Sequence, residues 1–288
     1  MIIHIKNKFF ISILLFLNVV ICSFYSQSIQ TNFAFHLINK KNFDDAITYL
    51  NFRNQVIQKD TFYYLKAFSF YELKKVDSVL FCTNNVSKSS PYYSKSLLLR
   101  SLHYMYLKKY ELMKNELEFY SNNTNDEYNY NLYKLELSGY YLLKRDLKNF
   151  DSIINLVNYG ILTNNKDNLV VLRNKIHKHK NKSPWLAGIF SAVLPGSGKF
   201  YTGYKNSALS SFASCFFTAG MAAESFYRCG SFRSPSGIFF SVFFLFFYSG
   251  NIVGSVFSAK KYNQTFNKKI NNEIYINLHI PVVEAIQP

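Results

Sequence analysis

The chain has 288 residues, 33 Lys and Arg against 17 Asp and Glu, and a formal net charge of +16, with 29 Phe and 23 Tyr. That length holds about two domains. The lysines are dispersed among Asn, Ile, Phe and Tyr instead of forming a stripe, which argues against a nucleic-acid partner.

The four cysteines, Cys22, Cys82, Cys215 and Cys229, give neither a disulfide framework nor a metal-ligand spacing. The composition changes near Lys182: Lys, Asn, Tyr and Leu dominate before it, and Phe, Ser, Gly and Ala from Pro184 to Ala259. The dense basic run from Arg173 to Lys182 precedes that apolar region, a position suited to lipid headgroups.

Lys6 and Lys8 followed by an apolar run from Phe9 to Ile21 have the layout of a secretory signal, predicted over residues 1–26. The run is short for a membrane span. Ile21 stands where a lipoprotein signal needs a small residue before Cys22, so a lipid-modified cysteine is not expected.

Four segments over residues 27–180 share an order: an aromatic-rich helix, a basic pair, then a second helix. The first apolar residues after the basic pairs are Phe43, Val76, Tyr110 and Leu147, spaced by 33, 34 and 37 residues. A period near 34 with two helices per unit resembles the tetratricopeptide repeat, and the match is fullest in Phe43-Asp-Asp-Ala46-Ile-Thr-Tyr-Leu50. Val79, Met113 and Phe150 stand where Ala46 does, so the copies are degenerate. The resemblance implies a stacked superhelix whose concave side binds a protein. The stretches Ser121–Asp126 and Thr163–Asn168 read as loops, and His36, His103, His177 and His179 have no metal spacing.

Residues 184–260 read as a membrane domain. Ser207–Tyr227 and Gly237–Ala259 are long enough to cross a bilayer; the brief apolar segment from Trp185 to Leu194 either crosses as well, which the distribution of lysines favours, or lies in the interface beside a hairpin of two spans. Leu194-Pro195-Gly196-Ser-Gly198-Lys199 is no phosphate loop, because Val193 and Phe200 occupy positions that the motif reserves for Gly and Ser or Thr. The order Pro195-Gly196-Ser-Gly198, Phe200-Tyr201-Thr-Gly203 and Tyr248-Ser-Gly250-Asn251 resembles a small bacterial membrane-domain family of unknown function, which implies a membrane location and no chemistry.

Gly196 and Gly198 suit a sharp turn after Pro195, and Gly250, Gly254 and Ser258 form a small-residue stripe beside Asn251 for close helix packing or self-association. Glu224 is an acid within an apolar segment, with Arg228 one turn on as its ion-pair partner. The tail, residues 261–288, includes Ile274 to Ile280, whose alternation reads as a short strand.

The expected fold class is therefore all-α: a helical-repeat solenoid followed by a small bundle of two to three transmembrane helices. The expected function is non-enzymatic, with no catalytic residue, metal or cofactor site in the pattern. The repeats bind an unidentified envelope protein, and the apolar domain contacts membrane lipid in the bacterial inner membrane with the repeats on the periplasmic side. The second reading is an accessory part of a membrane transport or protein-insertion system.

Overall fold

A computed structural model of the chain describes residues 29–121, 126–158 and 160–288. The predicted signal sequence, and most of the loop predicted before Asp126, lie outside the described residues. Among the described residues every regular element is helical.

Residues 29–39 form α1. There follow α2 (Phe43–Phe52), α3 (Lys59–Glu72), α4 (Val76–Asn84), α5 (Tyr93–Tyr106), α6 (Tyr110–Ser121), α7 (Glu127–Leu143) and α8 (Leu147–Ile154). After a 3-10 turn at Gly160–Leu162 come α9 (Thr163–Lys178), α10 (Pro184–Val193), α11 (Ser197–Tyr201), α12 (Lys205–Cys229) and α13 (Pro235–Ala285). Two compact units result: the described residues up to Arg173 together with Ile274–Pro288, and Asn174–Glu273. The last turns of α13 thus belong to the first unit, although the sequence places residues 261–288 in a separate tail.

In the first unit the helices pair α1 with α2, α3 with α4, α5 with α6 and α7 with α8, and one local device builds every pair. Lys41, Lys74, Lys108 and Arg145 are left-handed, with φ of 60°, 59°, 58° and 62°. Each N–H bonds the carbonyl three residues back, and the next N–H bonds the carbonyl five back, as in Lys74 to Tyr71 (2.9 Å) and Lys75 to Phe70 (2.9 Å). This double bond closes a helix and reverses the chain, and glycine usually occupies its left-handed position. A side chain there costs about 1 kcal/mol. Lys74→Gly is therefore expected to raise stability by about 0.5–1 kcal/mol, measured as a higher urea midpoint at constant m-value.

The second helices of the pairs bury equivalent residues. Ala46, Val79, Met113 and Phe150 are all fully buried, so the degenerate position varies in volume while keeping its place in the core. Arg100 on α5 is buried and satisfied: its Nε lies 2.9 and 2.8 Å from the two Glu116 carboxylate oxygens, and its Nη1 donates to Asn84 Oδ1 (3.1 Å) and the Thr83 carbonyl (3.3 Å). A buried cation so partnered ties α4, α5 and α6 together.

The stretch Thr163–Asn168, predicted as a loop, is the first turn and a half of α9. Its Asn and Asp residues suggest a turn, but tertiary contacts made by Asn165 and Asn168 hold it helical, as described below.

Candidate functional site: a helix-filled groove

Ile274 to Ile286 correct the strand predicted for the tail. They are helical to Ala285, and Ile274, Leu278, Val282 and Ile286 are fully buried at four-residue spacing. Ile276 and Ile280, which an alternating strand would place on the same face as these, are 57% and 49% exposed. The period is that of a helix with one buried stripe.

Side chains from α3, α5, α6 and α9, and the backbone of α7 at Gly139, receive that stripe. Tyr64 donates to the Ile286 carbonyl, and Lys95 to the Gln287 carbonyl. The two His279 ring nitrogens meet Tyr106 (2.8 Å, Nδ1) and Tyr71 (3.3 Å, Nε2), and Tyr110 pairs with Tyr275 (2.8 Å). Gly139 on α7 lies directly beneath Leu278, where an added Cβ would fall 2.9 Å from Leu278 Cγ. A glycine inside a helix costs about 1 kcal/mol, and here it admits the close approach of another side chain.

Pro281 sits inside α13 and has no N–H to bond the carbonyl of Asn277. The structure supplies a substitute: Asn165 Nδ2 donates to that carbonyl (2.9 Å), while Asn168 Nδ2 donates to the Asn277 side chain (2.9 Å). These contacts are the reason the Asn-rich start of α9 orders as helix. Each of the four buried aliphatic residues contributes about 1.5–3 kcal/mol by removal from water.

Burial lowers the His279 pKa, so the neutral imidazole is the form that fits, one tyrosine donating to it and the other accepting from it. Below about pH 6.5 the unfolded chain binds a proton that the folded one resists, so this contribution is complete above that pH and lost as pH falls. The groups around it are Tyr71, with His103 and Glu72 beside that ring, Tyr106, which feels Glu136, and Tyr275. His103 is shifted the same way by burial, so the contribution of His279 is isolated by His279→Gln. The native chain is expected to lose more stability than this variant between pH 7 and pH 5, read from denaturation midpoints.

The second unit contains the remaining predicted site residues. Its helix α10 runs antiparallel to α13, from Lys182, whose N–H and carbonyl bond the Asn263 side chain (2.9 and 2.8 Å), to Ala192, whose carbonyl accepts from Tyr248 (2.5 Å). Pro195 and Gly196 then reverse the chain. Gly196 has φ of 86° and donates to Asn251 Oδ1 (3.0 Å), and Asn251 Nδ2 donates to the Ser191 carbonyl (3.1 Å). Gly198 donates to Ser191 Oγ (3.0 Å) and packs so closely on α10 that a Cβ would meet the Ala187 carbonyl.

Helix α11 returns beside α10 until the Tyr201 hydroxyl accepts from the Ser183 N–H (3.3 Å), with Lys182 Nζ 4.5 Å above the Tyr201 ring. The two ends of the segment 183–201 are therefore side by side. Gly203, with φ of 88°, turns the chain into α12. An apolar cleft of about 480 Å³ lies beside the turn, between Leu194, Pro195, Phe200, Leu209 and Phe212.

Helix α12 is antiparallel to the first half of α13: Lys199 joins Ser211 (2.5 Å) at the level of Gly254, and Phe226 covers Gly237. In the small-residue stripe Gly254 faces Lys199, whereas nothing approaches Gly250. A further polar contact across α10 and α13 joins the hydroxyls of Ser191 and Ser255 (2.6 Å), a pair with no mark in the sequence reading. Its signal is that Ser255 stands one helical turn after Asn251. Glu224 and Arg228 form an ion pair at 2.5 Å on an exposed surface.

The two units differ in what they expose. Tyr227 and Phe232 are 88% exposed, and Phe216, Phe217, Leu245, Phe246 and Phe257 are also turned outward. Among the described residues α13 is the helix long and apolar enough to cross a membrane, with mean hydropathy 1.7 in its most apolar window. Its first 25 residues, Pro235 to Ala259, extend about 37 Å at 1.5 Å per residue, against a hydrocarbon core of about 30 Å. Helix α12 has the length, but its serines, Thr218 and Glu224 lower its hydropathy. No family model, curated protein or solved structure matches this chain.

Proposed function

We propose that this chain is a non-enzymatic, membrane-anchored cell-envelope protein whose tetratricopeptide-like pairs bind a helical segment of a protein partner in the groove between them. The observation that carries the reading is the groove itself. It receives a helix through a stripe of four buried aliphatic residues and a row of tyrosine hydroxyls, a chemistry suited to an amphipathic helix. The regular left-handed turns at Lys41, Lys74, Lys108 and Arg145 and the buried position of Ala46 and its equivalents support the likeness to tetratricopeptide repeats.

In this reading α12 and the apolar half of α13 cross the membrane as a hairpin, and α10 with α11 enters it and returns. Two observations favour two crossings over three. The ends of segment 183–201 are adjacent, and the tail packs against the helical pairs. A tail held by those pairs lies on their side of any membrane, so the chain between them crosses an even number of times. Lys199, Lys205, Lys260, Lys261, Lys268 and Lys269 then share the side of the pairs, which by itself favours the cytoplasm. We give precedence to the N-terminal signal, because the first segment to emerge usually sets orientation and long domains translocate largely regardless of charge. This puts the pairs in the periplasm.

A photoreactive residue replacing Tyr106 tests the reading in cells. It is expected to crosslink both to the tail and to a second polypeptide, and Leu278→Glu, which expels the tail, is expected to raise the second product several-fold. Tail adducts alone in both proteins would leave the groove a purely internal contact and refute the reading.

A further inference from the structure

Both carboxyl oxygens of Glu136 are buried and have no hydrogen-bond partner among the described residues, and burial holds the group well above the usual carboxylate range. Leaving such a group unpartnered destabilises the fold, and leucine at this position would avoid that cost. Glu136 lies one turn before Gly139 on the face of α7 that meets the tail, and its field reaches Tyr106, a groove residue.

The register between groove and tail is antiparallel on α3, where Tyr64 meets residue 286 and Tyr71 meets residue 279. It is antiparallel on α5 as well, where Lys95 meets residue 287 and Tyr106 meets residue 279. With Gly139 under Leu278, the same sense on α7 brings Glu136 level with Val282. The tail thus offers an aliphatic side chain at the level of an unpartnered acid.

We infer that the groove is built for a second occupant: an amphipathic helix of a partner protein that repeats the tail's aliphatic spacing but carries a basic side chain where the tail has Val282, pairing with Glu136. The inference rests on the groove-binding function proposed above. The tail is then a tethered placeholder, present at an effective concentration on the millimolar scale. A partner at micromolar concentration must bind about a thousandfold better to displace it, which is about 4 kcal/mol at 1.4 kcal/mol per tenfold. A charge-assisted bond to a carboxyl that is otherwise unpartnered supplies part of that difference, because the comparison is with the same group left alone. The mismatch at Val282 keeps the internal helix displaceable.

The test uses the full-length protein and two labelled peptides spanning residues 272–288, one with the native sequence and one carrying Val282→Arg. Binding is read by fluorescence anisotropy, for the native protein and for Glu136→Leu, a variant expected to fold more stably than the native chain. The arginine peptide is expected to bind the native protein at least tenfold more tightly than the native-sequence peptide, and Glu136→Leu is expected to bring the two within twofold. Equal binding to the native protein, or an arginine advantage that survives Glu136→Leu, overturns this inference and leaves groove binding intact. Failure of both peptides to bind overturns groove binding along with it.

Discussion

Replacing Gly139 by valine is expected to loosen residues 274–286 in the groove. A Cβ at that position already falls 2.6 Å from Leu278 Cδ2 and 2.9 Å from Cγ, and valine adds two further methyl groups. Leu278 cannot retreat cheaply, because it is fully buried between Ile274 and Val282 on a helix held at both ends by hydrogen bonds. Overpacking of this kind costs about 1–3 kcal/mol, comparable to what one buried aliphatic residue of the tail contributes. Hydrogen exchange at residues 274–286 reports the outcome: exchange there is expected to be about tenfold or more faster in Gly139→Val than in the native chain. A compensating change gives a control. Gly139→Ala combined with Leu278→Ala is expected to be more stable than the sum of the single effects by about 1 kcal/mol or more, since the alanine fills space that Leu278 vacates. Simple additivity would mean that the two residues are not in contact.

The second large effect is expected at Asn251. Its amide joins the Gly196 N–H and the Ser191 carbonyl, two backbone groups freed where α10 ends and the chain reverses. Leucine fills similar volume but leaves both groups buried without partners, at about 1–3 kcal/mol each. Asn251→Leu is therefore expected to destabilise the second unit by about 2–5 kcal/mol, read as a large fall in thermal midpoint in detergent. Asn251→Asp is expected to lie between the two, because it retains an acceptor for Gly196 and loses the donor to Ser191. A thermal midpoint for Asn251→Leu equal to the native value would mean that the turn is held by other contacts.

The helical pairs were legible because their information is local. A basic pair before each second helix marks the left-handed residue, and the residue five positions on from each left-handed one falls in the core. The turn chemistry at Gly196 and the amide of Asn251 were legible for the same reason, since Pro-Gly and an isolated Asn in an apolar helix restrict what the backbone and its partners can do. The tail was not legible. Ile274-Tyr-Ile-Asn-Leu-His-Ile280 satisfies both an alternating and a four-residue pattern, and only the side chains of four distant helices select the helix.

Thr163 to Asn168 misled for a related reason. Its asparagines look like loop formers until Pro281 frees a carbonyl that one of them satisfies. Glu136 gave no signal as a single acid between leucines, since periodicity does not say which face will be sealed by another part of the chain. The distribution of lysines favours a third crossing at Trp185 to Leu194 and gives no sign that Tyr201 returns to Ser183.

The C-terminal segment and the helical pairs form one unit, which the proposed function sets on one side of the membrane. Cysteine labelling in intact cells tests this, with single cysteines at Lys88, Ser231 and Gln287 in a chain whose native cysteines are replaced. Positions 88 and 287 are expected to react together with an impermeant reagent while position 231 is protected. Labelling that separates position 88 from position 287 would contradict it, because a tail across the membrane from Tyr64, Tyr71 and Tyr106 cannot occupy their groove.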